Sequence, residues 1–220
     1  MINDLPQIKI KDSTFIALPQ KAFFWVEEFT LLLSDIHFGK TATFRAAGIA
    51  IPEGSTTDDL KRLSDAVELT NAKKIIFLGD LIHHRTGKTR LITEQLKNWI
   101  EERPDKEFIL ITGNHDKSSD GISEIPQIKV VDELIIRNKF LLRHHPESQK
   151  GFFVICGHLH PAVRLRGTGH DSLRLACTHF SKNMAVLQAF GSFTGTSIIR
   201  PEPGDTVFMA HDGEVFSIKY

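Results

Sequence analysis

The chain has 220 residues, 41% of them hydrophobic, enough for one sizeable core and near the upper limit of what a single core supports. Its 27 Lys and Arg balance 27 Asp and Glu, which excludes a global field that would gather a polyanion from a distance, so any nucleic-acid contact must be local. Cys156 and Cys177, far apart and outside any CxxC spacing, exclude a disulfide scaffold and read as two small buried hydrophobes. No apolar run reaches membrane-spanning length, and the opening MINDLPQIKI lacks the basic-then-apolar order of a secretory leader. The expectation is one domain over residues 1–220, soluble and cytoplasmic, with no membrane partner.

In chain order, AFFWVEEFTLLLSD reads as a hairpin turning at Glu27 and Glu28, its second arm leading into Asp35. After a loop containing Pro52 and Gly54, Thr56 and Asp59 carry a capping-box signal, and Leu60, Leu63 and Val67 recur at helical spacing. KKIIFLGD is a short β-rich run ending in Gly79 and Asp80. TRLITEQLKNWIEER predicts a second helix with Leu91, Leu96 and Trp99 on its apolar face. EFILITGNHD repeats the pattern of strand followed by polar loop. Farther on, IKVVDELIIRNKFLLRHHP, FFVICGH, AVRLRG, LRLAC, MAVLQAF, TVFMA and EVFSIKY read as strands separated by Gly, Pro, Asp or Asn. The first half thus predicts β-α-β units and the second mostly antiparallel strands, giving two sheets covered by helices.

Eight of the 11 histidines fall in five short loops, each directly after an apolar run: DIH, GDLIHH, GNHD, RHHP and GHLH. From such loops a rigid sheet aims several side chains at one point. One residue separates Asp35 from His37, and one separates His158 from His160. In an extended segment each pair points to one side, like two arms of a metal clamp. Carboxylate, imidazole and amide groups without thiolate suit manganese, iron or zinc and disfavour structural zinc. Asp35, His37, Asp80, Asn114, His144, His158 and His160 offer enough donors for two ions sharing one carboxylate. In two-metal sites the ions sit roughly 3.5 to 4 Å apart, and a water between them loses a proton near neutrality and attacks phosphorus in line. Hydrolysis of a phosphate ester is the chemistry this predicts.

Taken singly, these residues have plainer readings. Asp80 after Gly79 would cap a turn, GNHD would be a polar turn, and His170, His179 and His211 read as surface or satisfied core histidines. Joint occurrence at five strand ends is what argues against the plain readings for the loop residues. RTGKTR is no phosphate-binding loop, because Ile82 stands where that pattern requires its first glycine.

D-x-H, GD, GNH[DE], a histidine after a later strand and GHxH, in this order, resemble the calcineurin-like metallophosphoesterases. The resemblance implies an α/β fold, a four-layer α/β/β/α sandwich. It implies Asp35, His37 and His160 on one ion and Asn114, His144 and His158 on the other, with Asp80 bridging. His115 resembles the family's histidine that faces the leaving group, as proton donor or positive charge, with Asp116 orienting it. His144 is preferred to His145 because the family often shows a histidine two residues before a proline, here Pro146. His83 occupies a variable position beside the ligands.

SDIHFGKTATFRAAGIAIPEG, RHHPE, GHLHPAVRLRG, AFGSFTG and RPEPGD are similar to the bacterial ligase-associated DNA damage response endonucleases. That resemblance implies a DNA-directed phosphodiesterase, a repair endonuclease or end-processing nuclease using two divalent ions, with a DNA ligase and a helicase as partners. Arg45, Arg85, Arg143 and Arg164, in or beside the motif loops, are the expected contacts to a phosphate backbone. Phe38 and Phe44 read as core rather than as base-stacking platforms, and no sequence-reading module appears. Two alternatives stand beside this: a small-molecule or nucleotide phosphodiesterase of the same fold, and a non-catalytic scaffold. A closed pocket would favour the first and lost ligands the second, and the ligand set is complete. Oligomeric state leaves no sequence signal.

Overall fold

Three antiparallel strands open the chain: β1 (Gln7–Ile10), β2 (Ser13–Ala17) and β3 (Phe23–Trp25). A 3-10 turn at Val26–Glu28, closed by Phe29 in the left-handed conformation (φ 48°), folds β3 onto β4 (Thr30–Leu33), with Phe23 opposite Leu32. The expected hairpin is present and turns at the two glutamates. Three parallel strands complete a seven-stranded sheet in sequence order: β5 (Lys74–Leu78), β6 (Glu107–Ile111) and β7 (Ile128–Val131). Parallel neighbours need crossovers, and helices α1 (Ser55–Thr70) and α2 (Thr89–Glu101) supply the first two. This computed structural model describes residues 2–41, 48, 55–83, 89–116, 120–167 and 172–220.

Both helices differ in detail from expectation. α1 begins at Ser55, so Asp59 lies inside it, and its carboxylate accepts from Arg62 (2.6 Å) and Ser192 (2.9 Å) instead of closing a capping box. In α2, Leu91 is 58% exposed, and Ile92, Leu96, Trp99 and Ile100 are buried. Those four follow the i, i+4, i+7, i+8 stripe of a core-facing helix, one residue out of phase with the expected start.

The remaining strands are β8 (Leu134–Ile136), β9 (Phe140–Leu142), β10 (Phe153–Cys156), β11 (Pro161–Arg166), β12 (Ser172–Ala176), β13 (Thr178–Phe180), β14 (Met184–Val186), β15 (Ser197–Ile198), β16 (Thr206–His211) and β17 (Glu214–Lys219). Seven form the second sheet, in the order β17-β16-β13-β14-β10-β9-β8, and β12-β11-β15 form a small third one. The outer pairs of the second sheet are antiparallel, as expected, but β9, β10 and β14 run parallel at its centre. These strands are short and apolar on both faces, so their runs lack the alternation that marks a half-exposed antiparallel strand.

The two large sheets pack face to face. Phe15, Trp25, Leu32, Ile76 and Ile109 of the first meet Phe140, Phe153, Phe180 and Phe208 of the second. Trp25 lies 4.7 Å from Phe140 and Phe23 lies 5.3 Å from Phe208, edge to face, each such pair adding about 1 kcal/mol beyond its buried area. The opposite face of the first sheet carries α1 and α2 through Leu63, Val67, Leu96 and Trp99. On the outer face of the second sheet, Val207 and Met209 are covered by Val163, Leu165 and Leu175 of the small sheet. The mixed α/β layering is the one expected. Its fourth layer, among the described residues, is built of strands at this point, because the alternating AVRLRG and LRLAC segments offer one apolar face and pair with each other.

Candidate metal centre

Asp35, Asp80, Asn114, His144 and His158 each follow the C-terminal end of a parallel strand, β4, β5, β6, β9 and β10 in turn. Hydrogen bonds bind these loops together. Asp35 N–H donates to the Gly79 carbonyl (3.1 Å), His37 N–H to the Asp80 carbonyl (2.9 Å), and Gly157 N–H to the His144 carbonyl (3.1 Å). Asp35, His37, Asp80, His158 and His160 all adopt positive φ, between 46° and 72°. Such conformations cost about 1 kcal/mol or more each and persist where the surroundings over-determine them. The two D-x-H and H-x-H pairs therefore do not project from extended strands, as expected, but from left-handed turns. His158 and His160 also fail to act as two arms on one point, since they fall in different groups.

The convergence is close. The ligating atoms of Asp35, His37 and His160 lie within 4.8 Å of one another, as do those of Asp80, His144 and His158. Asp80 joins the two groups: its Oδ2 is 3.7 Å from His37 Nε2 and 3.7 Å from His144 Nε2. His144 Nδ1 donates to the Leu78 carbonyl (2.8 Å) and His160 Nδ1 to the Gly195 carbonyl (3.0 Å), so each turns its Nε2 inward, that of His160 toward Asp35. His144 Nε2 also faces His158 Nδ1 at 3.2 Å, a contact that one shared proton or one cation can satisfy. His37 is buried with neither ring nitrogen hydrogen-bonded, and buried Asp35 Oδ1 faces only His160 Nε2, at 3.2 Å. Buried lone pairs left without donors cost roughly 1–3 kcal/mol each, and a divalent cation accepts them. The donor set thus fits metal ions on its own chemistry.

Electrostatics keep the donors deprotonated or shared. Burial, helped by the charge of Lys40, pushes the His37 imidazole down to about 2, so it is neutral. Burial would raise the Asp35 carboxyl, but His160 and the Ser34 hydroxyl, which donates to Oδ2 at 2.6 Å, hold it below its ordinary value. For His160 burial acts downward, and Asp35 more than reverses it. Burial, with His144 and His145 beside it, lowers His158.

Three glycines make room for this centre. Gly79 has φ +84°, and a Cβ there would collide with the His144 ring. One at Gly113 would strike Asp80, and one at Gly157 would strike Asp35 Oδ2 and Ser34 Oγ.

His145, the exposed neighbour of His144, donates from Nε2 to Asn114 Oδ1 (2.8 Å), and its ring lies tilted against that of His158, 4.5 Å between centroids, so Asn114 stands at the rim of the Asp80 group. His115 is half-exposed at the mouth, its Nε2 4.0 Å from Asp80 Oδ2, while its N–H donates to Asp80 Oδ1 (2.9 Å). Asp116 accepts from the N–H groups of Asp80 (2.7 Å), Leu81 (2.9 Å) and Gly113 (2.8 Å), tying the GD turn to the GNHD turn, and burial raises its carboxyl. Arg143 departs from its expected part: Glu133 and Glu147 take its guanidinium, so its charge is neutralised within the protein. Arg164 is exposed beyond His160, and Phe38 is core. Arg45, Arg85, Phe44 and His170 lie outside the described residues.

Sequence reasoning placed His83 beside the ligands without a role, yet it forms a third imidazole group with His37 and His115. It also missed the 189–195 segment. Phe190 N–H donates to the Ser34 carbonyl (2.8 Å), Gly191 N–H to that of Asp35 (3.2 Å), and Arg62 donates to the Phe190 carbonyl (2.5 Å). The signal was there in AFGSFTG, whose Gly191 has the Ile36 carbonyl where a Cβ would be.

A family model described as calcineurin-like phosphoesterase matches residues 30–212. Among solved structures, the Pseudomonas putida nuclease MPE is 30% identical over 97% of this chain and 99% of its own, with a TM-score of 0.82. Yfce, a phosphoesterase from E. coli, is 14% identical over 86% of this chain and 97% of its own, at a TM-score of 0.45, too low to carry weight. Comparison with curated proteins finds no match. No helix among the described residues is long and apolar enough to cross a membrane. With its GD, GNHD and GHLH loops converging on one cluster and the family pattern spanning most of its length, the chain belongs to the calcineurin-like phosphoesterases and is a phosphoester hydrolase.

Proposed function

We propose that the protein is a DNA-directed phosphodiesterase working with two divalent cations, cutting strands or trimming ends in repair beside a ligase and a helicase. One observation carries the two-cation reading: Asp80 Oδ2 stands 3.7 Å from an imidazole nitrogen of each of two separate ligand groups. Asp35, His37 and His160 would hold one cation, and Asn114, His144 and His158 the other, with Asp80 between. Manganese, iron and zinc all suit these donors. Bound there, the pair supplies Lewis acidity to the phosphate and acidifies the attacking water. His115, at the mouth and half-exposed, gives a proton to the leaving oxygen or sets a positive charge against it. Asp116 positions that imidazole through the backbone, by clamping the turn that carries it to the Asp80 turn. The DNA reading is supported by the likeness to a nuclease across nearly the whole of both chains.

Hydrolysis of bis-(p-nitrophenyl) phosphate with manganese tests the chemistry. Wild type should turn over, and Asp80→Ala should lose at least the ~100-fold that removal of a partner behind a metal ligand reaches. No metal-dependent turnover in either protein would end the reading. Labelled single-stranded, duplex and nicked oligonucleotides test the substrate: if none is cut while cyclic nucleotides are, the substrate is a small diester.

A further inference from the structure

β11 starts one residue after His160 and pairs antiparallel with β12, Val163 opposite Leu175, Arg164 opposite Arg174, and Leu165 opposite Leu173. The apolar members Val163, Leu165 and Leu175 pack on β16 through Val207 and Met209. Alternation therefore puts Arg164, Arg166 and Arg174 together on the outward face, where all three are exposed. Like charges directly opposite on paired strands repel and cost stability. Elsewhere among the described residues Arg62, Arg90, Arg103, Arg137 and Arg143 each have a carboxylate partner, and Arg200 alone has none. Among the described residues none of the three hairpin arginines has one: Arg174 donates to the Thr196 carbonyl, and Arg164 and Arg166 have no partner. Three guanidinium groups in register, none neutralised by a described carboxylate, on a chain of zero net charge call for an anion from outside.

The hairpin is built into the metal centre. Gly195 offers its carbonyl to His160 Nδ1, Thr196 offers the next one to Arg174, and Ser197 N–H donates to the His160 carbonyl (2.9 Å). At roughly 3.3 Å per residue, Arg164 lies about 13 Å and Arg166 about 20 Å along the strand from His160. Phosphates of one duplex strand rise about 3.4 Å each along the axis and lie farther apart along the backbone, so those distances correspond to a few phosphates from one held at the centre. No mononucleotide or cyclic diester spans that. Guanidinium forks match phosphate oxygens and carry no base readout in such positions.

We infer that the outward face of the β11–β12 hairpin is a backbone track that holds successive phosphates of a nucleic-acid strand whose scissile diester sits at the metal centre. This rests on the proposed phosphodiesterase function and makes a polynucleotide, rather than a small diester, the substrate.

The test uses the intact protein, Arg166→Gln and Arg164→Gln/Arg166→Gln, with binding of a fluorescent 20-nucleotide strand measured against salt. The slope of log K against log salt should fall by about 0.7 to 0.9 for each phosphate contact removed, weakening the 20-mer most at low salt. Arg166→Gln should leave bis-(p-nitrophenyl) phosphate turnover within about twofold, and a dinucleotide, too short to reach the arginines, should bind all three proteins alike. An unchanged slope in the double variant overturns the track, as does a wild type that hydrolyses the small diester but does not bind the 20-mer. A wild type inert toward small diesters defeats the phosphodiesterase reading instead, and the salt slope still reports on the arginines.

Discussion

His115 is the residue whose chemistry is most separable from its structural part. Its backbone N–H supports Asp80 Oδ1, and its imidazole stands half-exposed at the mouth. His115→Gln keeps the first and removes the second. Loss of a general acid costs roughly 10² to 10⁴ where the leaving group needs a proton and far less where it does not. Cleavage of a DNA diester should therefore fall by ~100-fold or more, and cleavage of bis-(p-nitrophenyl) phosphate by less than ~10-fold. Equal losses on both substrates, measured as kcat, would refute the proton-donor role. Residues of this kind were legible because a polar side chain directly after an apolar run stands out. Which ring nitrogen faces inward was not, since that depends on carbonyls such as Leu78 and Gly195, remote in the chain. The neutralisation of Arg143 by Glu133 and Glu147 was hidden likewise, because charge pairing across loops leaves no periodic trace.

The turns between strand and ligand are the elements on which the centre depends. Gly79 occupies φ +84° and lies against the His144 ring. Gly79→Ala pays for a left-handed alanine, about 1 kcal/mol, and also pushes on a side chain that is held at Leu78. The variant should fold with a lower midpoint and bind manganese at least ~10-fold more weakly, measured by unfolding with and without the ion. A wild-type increment on adding manganese would show that the turn does not set the ligand geometry. At this scale the long, periodic elements were readable: α1, α2 and the β3–β4 hairpin follow from spacing alone. Shorter ones such as β13 and β15 did not register, being three and two residues long with no pattern to count. The phase of α2 was misjudged by one residue because Leu91 and Ile92 are equally apolar and only packing distinguishes them.

For the whole molecule, the two sheets bring five distant loops to one end, and the stability of that arrangement depends on pH. The unfolded chain protonates its histidines near 6.5, whereas folded His37 stays neutral down to about 2. Stability from this group is complete above about 6.5 and is lost as pH falls below it, by about 1.4 kcal/mol per unit. His158, also lowered, acts in the same direction, while His160, raised by Asp35, opposes them. Metal-free protein should thus be less stable at about pH 5.5 than at about pH 7.5, by on the order of 1 kcal/mol. Denaturant midpoints after chelation read this directly, and a midpoint that rises on acidification would contradict the burial of a neutral His37. The layered α/β architecture could be anticipated from strands alternating with helices and then strands alone. That the second sheet has a parallel centre could not, because its connection through 143–152 contains no helix to announce a crossover.

The most direct test of the centre itself is an anomalous-scattering map of crystals grown with manganese. Two peaks, roughly 3.5 to 4 Å apart on either side of Asp80 Oδ2, are predicted. A single peak, or peaks away from the Asp35 and His144 groups, would contradict the account.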